Sequence, residues 1–145
     1  MYPARLDDKG RLKLPVSFQQ YFLALREKRL FVTSLDGRTA SIYPLAVWRE
    51  TEKALMSKPE LTRQAKNVLF TAADLGSETI MDPQGRILFS PELRRELKIE
   101  NTTVRIHATR GRFEVLSDAV YAERKRKAAE SAEADLEALE GAGLV

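Results

Sequence analysis

The chain repeats itself once, and that duplication restricts its fold more than any other feature. Leu6-Asp7-Asp8-Lys9-Gly10-Arg11-Leu12-Lys13-Leu14 aligns with Met81-Asp82-Pro83-Gln84-Gly85-Arg86-Ile87-Leu88-Phe89 at an offset of 75 residues, which also sets Phe18 over Leu93 and Phe22 over Leu97. After a small slip the match resumes at an offset of 73. There Ile42-Tyr43-Pro44 lies over Val115-Leu116-Ser117 and Ala46-Val47-Trp48 over Ala119-Val120-Tyr121. Two copies are too few for a stacked repeat array, so the pattern predicts one pseudo-twofold domain. It divides the chain into a first repeat over 1–49, a helical connecting segment over 50–77, a second repeat over 78–121 and a helical, partly frayed tail over 122–145.

Each repeat has the same order of signals. A turn opens it, with Asp and Gly and an Arg directly after the Gly; Gly takes positive φ without a steric penalty, and Asp readily bonds its own turn. A short strand follows, with Leu12 and Leu14 on one face and Arg11 and Lys13 on the other. Phe18, Tyr21, Phe22 and Leu25 then recur at helical spacing, with Pro15 suited to the first turn. In the second copy Ser90 is placed to cap and Pro91 to begin the helix. A hairpin closes each repeat: Leu30–Thr33 and Ala40–Tyr43 around Asp36-Gly37-Arg38, then Val104–His107 and Phe113–Leu116 around Arg110-Gly111-Arg112. Helices are expected from Pro44 toward Met56, from about Glu60 to Ala73, and through the Ala- and Glu-rich tail.

Charge separates the body from the tail. Residues 1–121 hold 20 Lys/Arg against 15 Asp/Glu, and residues 122–145 hold 4 against 6. A basic body with an acid-leaning tail suggests a polyanionic partner for the body. The chain has no cysteine and a single histidine, His107, which removes disulfides, thiolate zinc sites, cysteine nucleophiles and histidine metal clusters. No P-loop or dinucleotide fingerprint occurs, and no carboxylate pair suggests acid–base work, so neither enzymatic activity nor a cofactor is expected. No apolar run approaches the roughly 20 residues that span a bilayer, and no signal-peptide pattern opens the chain; the expected location is the cytoplasm.

One Asp-x-x-x-Arg occurs often by chance. Two, in LDDKGRLKLP and MDPQGRILF, each with Gly before Arg and an apolar strand after, are specific. Together with Tyr43-Pro44-Leu45, Trp48 and the repeat spacing, they make residues 5–123 resemble the MraZ family. The resemblance implies an α+β fold: a swapped-hairpin, double-split β-barrel of the AbrB-like type, built from both repeats with flanking helices and a C-terminal helical tail. It implies a nucleoid-associated bacterial transcription regulator. Such a protein binds double-stranded DNA at direct repeats in the promoter of the division and cell-wall gene cluster, as a ring-like homo-oligomer. Three departures stand out: a shortened N-terminal strand, Ser90 in place of a Pro, and Asn67 where a second Arg would follow Arg63. The alternative reading is an oligomeric scaffold whose basic loop takes an acidic protein.

Within that resemblance Arg11, Lys9, Lys13, Arg5 and Arg86 are the candidate DNA contacts, and Asp7, Gly10, Asp82 and Gly85 are expected to shape the loops. The rigid fork of an Arg suits a phosphate or a guanine edge, whereas a carboxylate repels phosphate. Counted along the sequence, residues 5–13 carry Arg5, Lys9, Arg11 and Lys13 against Asp7 and Asp8, while residues 80–88 carry Arg86 against Asp82. On that count the first loop should face DNA and the second should be more structural. His107, Trp48 and Tyr121 are read as packing residues, and Arg124–Lys127 as a solvated helix face.

Overall fold

A computed structural model describes all 145 residues. It contains β1 (Tyr2–Leu6), β2 (Arg11–Lys13), α1 (Val16–Leu23), β3 (Arg29–Ser34), β4 (Ala40–Pro44), α2 (Leu45–Leu55), a 3-10 turn (Pro59–Leu61) and α3 (Thr62–Leu75). The second half adds β5 (Ser77–Ile80), β6 (Arg86–Leu88), α4 (Pro91–Leu97), β7 (Thr102–Thr109), β8 (Arg112–Ser117) and α5 (Asp118–Gly141). All eight strands pair antiparallel in the order β5-β3-β4-β8-β7-β1-β2-β6, and β5 and β6 lie side by side, so the sheet is a nearly closed barrel.

The order has the twofold symmetry that the repeat demands, and it exchanges parts. Strand β1 pairs along its length with β7 of the other repeat, from Tyr2↔Ile106 to Leu6↔Thr102. Its counterpart β5 pairs with β3, from Arg29↔Ile80 to Val32↔Ser77. The two hairpins therefore serve each other's repeat, which is the swapped-hairpin, double-split barrel. On the axis itself β2 meets β6, with Leu12 opposite Ile87, and β4 meets β8.

One cluster of 18 buried residues fills the barrel, with Leu6, Leu12, Leu14, Ile87, Phe89, Val104 and Ile106 among those from the strands. Leu12 and Ile87 are both 0% exposed. Phe22 from α1 and Leu93 and Leu97 from α4 close it. A smaller cluster of Tyr43, Leu45, Trp48 and Ala72 lies under α2 and α3, where Trp48 stacks on Phe31 at 4.7 Å between ring centroids.

Ser90 caps α4, its Oγ accepting from the Leu93 N–H at 3.2 Å with Pro91 in the first turn. Pro15 instead stands one position outside α1, as its N-cap. Strand β1 has five residues and its counterpart β5 four. Tyr121 is not a core residue. It is half-buried with the Arg105 guanidinium 4.7 Å above its ring, because α5 leaves the barrel here while its counterpart α2 is covered by α3. His107 is half-buried on β7, its Nε2 3.3 Å from Glu114. No helix is long and apolar enough to cross a membrane.

Candidate nucleic-acid interface

Both Asp-x-x-x-Arg segments fold into the same loop, bond for bond. In the first, the Asp7 carbonyl accepts from the Gly10 N–H at 3.1 Å, and the Asp7 N–H donates to the Arg11 carbonyl at 3.0 Å. One carboxylate oxygen of Asp7 accepts from the Lys9 and Arg11 N–H groups, and the other from Arg11 Nε, all at 2.9 Å. In the second loop Asp82 Oδ1 accepts from the Gln84 and Arg86 N–H groups at 2.9 Å, and Oδ2 from Arg86 Nε at 2.7 Å. Gly10 and Gly85 make the turn at φ of 80° and 76°. Positive φ is open to Gly because it lacks a Cβ.

These bonds hold both carboxyls below the ordinary range. For Asp7 the Arg11 N–H contributes most, against burial, with the Arg11 side chain and the Lys9 N–H adding to it. For Asp82 burial opposes the charge most strongly and is outweighed by the Arg86 N–H, the Arg86 side chain and the Gln84 N–H together. Each Asp spends its acceptors inside the loop, and of its Arg's guanidinium it takes only the Nε. Neither terminal nitrogen of Arg11 or Arg86 donates within the chain, so each guanidinium is aimed by its inner nitrogen and open at its outer two.

The register of β2 on β6 joins the loops into one surface. Arg11 lies opposite Leu88, Leu12 opposite Ile87 and Lys13 opposite Arg86. Directly opposed residues share a face of the sheet and alternate ones point away. With Leu12 and Ile87 in the core, Arg11, Lys13, Arg86 and Leu88 all face outward. Carried one residue on from Leu6↔Leu12, the β1–β2 register sets Arg5 beside Lys13, so Arg5, Lys13 and Arg86 form a basic row across three strands. Arg5 is tied at its outer end, donating to Asn101 Oδ1 at 2.8 Å, and Lys9 is exposed at the tip of the first loop.

This geometry corrects the charge count made along the sequence. Lys13 follows Arg11 in the chain, yet the antiparallel pairing delivers it to the other loop, where its ammonium donates to the Gln84 carbonyl. The first loop loses that charge and the second gains it. A division into a basic loop and a neutral loop does not describe the charge on this surface.

Sequence reasoning missed two residues under the loops. Phe89 N–H donates to the Gly10 carbonyl at 2.8 Å, and Leu14 N–H to the Gly85 carbonyl at 3.0 Å. Arg94 of α4 lies beneath Gly10 and donates through Nη1 to the Phe89 carbonyl at 2.7 Å. Gln19 of α1 lies beneath Gly85 and donates through Nε2 to the Leu14 carbonyl at 2.8 Å. The signal was present: the offset of 75 residues sets Gln19 over Arg94.

Several curated bacterial proteins are similar to this chain over most of its length. The Transcriptional regulator MraZ of Acidobacterium capsulatum is 36% identical over 103 residues, covering 71% of this chain and 70% of that one. Its namesake from Dechloromonas aromatica is 30% identical over 131 residues, 90% of this chain and 88% of that one. The protein of the same name from Desulfitobacterium hafniense is 29% identical over 143 residues, 99% and 96% of the two chains. No protein-family model matches the chain.

Proposed function

Since this chain belongs to the MraZ family of transcriptional regulators, we propose that it is a DNA-binding regulator that reads duplex DNA with the face shared by its two Asp-x-x-x-Arg loops. The observation that carries this reading is the outward row of Arg5, Lys13 and Arg86 beside Arg11, with the outer nitrogens of Arg11 and Arg86 uncommitted. Phosphate neutralisation by such a row supplies affinity, and a guanidinium held by its inner nitrogen presents a fork to a guanine edge or a phosphate.

One such face has few charges, so we place it in a ring-like homo-oligomer. Adjacent copies then present it at a fixed spacing, and linked contacts gain through effective concentration. Direct repeats about one helical turn apart in the promoter of the division and cell-wall gene cluster are the matching target. The protein would act in the cytoplasm, on the nucleoid. Footprinting of the chain's own upstream region at two salt concentrations, with light scattering to fix the oligomer size, tests this. Protected repeats that fade with salt are expected. Salt-independent binding, or equal protection of unrelated DNA, would refute it, and a monomer at all concentrations would remove the ring.

A further inference from the structure

We propose that Gln19 and Arg94 are positioning residues for the DNA-facing loops, each bracing the loop of the opposite repeat. The inference rests on the reading that these loops meet DNA, and it adds residues that make no DNA contact themselves.

Each brace is a closed circuit. Arg94 Nη1 donates to the carbonyl of Phe89, the Phe89 N–H donates to the carbonyl of Gly10, and Gly10 lies directly against the Arg94 guanidinium. On the other side Gln19 Nε2 donates to Leu14, Leu14 donates to Gly85, and Gly85 lies against the Gln19 carboxamide. Both glycines are buried although they sit in turns, because a helix side chain fills the space beneath them. Arg94 is pinned further by Glu100, 3.2 Å from its Nε, and its side chain is only 13% exposed, which makes it a support and not a DNA contact. Gln19 shows that the circuit needs a side-chain N–H and not a charge. The helix of one repeat thus sets the height at which the other repeat presents its Arg, and a loop free to sink would lose the geometry that a bidentate contact requires.

The test is amide hydrogen exchange on the free protein, followed by DNA titration. Arg94→Ala should speed exchange at Gly10 and Phe89 about ten- to a hundredfold, the worth of one charged hydrogen bond, and leave Gly85 and Leu14 unchanged. Gln19→Ala should do the reverse. Arg94→Gln, which copies the second brace, should restore protection. On DNA, Arg94→Ala should add little to Arg11→Ala and add fully to Arg86→Ala, with the pattern inverted for Gln19→Ala. Uniformly faster exchange in both loops, or full additivity with both arginines, would overturn the brace. Local loss of protection with no effect of either Arg→Ala change on DNA would uphold the brace and overturn the reading on which its use rests.

Discussion

Replacing Gly10 by Ala should destabilise the barrel through two separable effects. The first is backbone strain. Gly10 sits at φ +80°, where a Cβ costs about 1–2 kcal/mol. The second depends on Arg94. The new Cβ would fall on its Nη1, 2.5 Å from Cζ and 3.0 Å from Cδ. A long side chain can swing aside, so the clash itself is cheap. Swinging aside surrenders the charged hydrogen bond to the Phe89 carbonyl, worth about 1.5–3 kcal/mol, for a total of about 4 kcal/mol. Gly37→Ala is the control. It has φ +73° with nothing nearer than Glu96 Oε1 at 3.9 Å, so strain alone of about 1–2 kcal/mol is expected. Urea unfolding followed by the single, buried Trp48, at one fixed protein concentration, measures both. In an Arg94→Ala background the Gly10→Ala penalty should shrink to the control value. Equal penalties at the two glycines, or an undiminished one in that background, would refute the reasoning.

The same structure makes three further predictions. Lys13→Ala should weaken DNA binding non-additively with Arg86→Ala and additively with Arg11→Ala, since Lys13 lies opposite Arg86 and bonds to Gln84; a titration cycle showing the reverse coupling would return it to the first loop. Acid should weaken the fold early. Asp7 and Asp82 lie below their usual 3.8, and Glu123, held by Arg38 and Lys127, and Glu27, held by Arg29, lie at about 2. The unfolded chain then binds more protons, so stability is full above about pH 4.5 and falls toward pH 2; a flat or rising urea midpoint over that range would contradict it. Removing residues 128–145 takes away no buried side chain, so it should reduce helical circular dichroism and leave the urea midpoint unchanged, with DNA affinity equal or slightly higher.

The repeat, the Asp-Gly-Arg turns, both hairpins and the capped start of α4 were legible because each is written in local residue chemistry. Leu12 and Leu14 declare an inward face by alternation, and Ser90-Pro91 declares a helix start. What local chemistry does not encode is which strands lie side by side. The assignment of Lys13 to the first loop was sound along the chain and wrong across it, since only the antiparallel β2–β6 register carries it to Gln84. Tyr121 carried the aromatic of Trp48 at the matching position, but burial depends on a covering helix. α3 packs on α2, whereas α5 packs mainly on β7 and β8 and runs on with exposed side chains. Strand β5, four residues with Ser77, Glu78 and Thr79 among them, has little apolar alternation and is a strand because β3 offers it an edge.

The exchanged braces have a consequence for what a half-chain could be. A lone repeat would present its loop with nothing beneath the glycine, and would find the missing support only in a second molecule. Two identical half-chains associating in this way would have to carry one residue at both bracing positions, good or bad for each alike. The fused chain is released from that identity. With both halves on one polypeptide it holds Arg94 under one loop and Gln19 under the other, a distinction between sides that no assembly of equivalent halves can make. The peptide linkage between the repeats thus gives a symmetric frame two ends that can diverge.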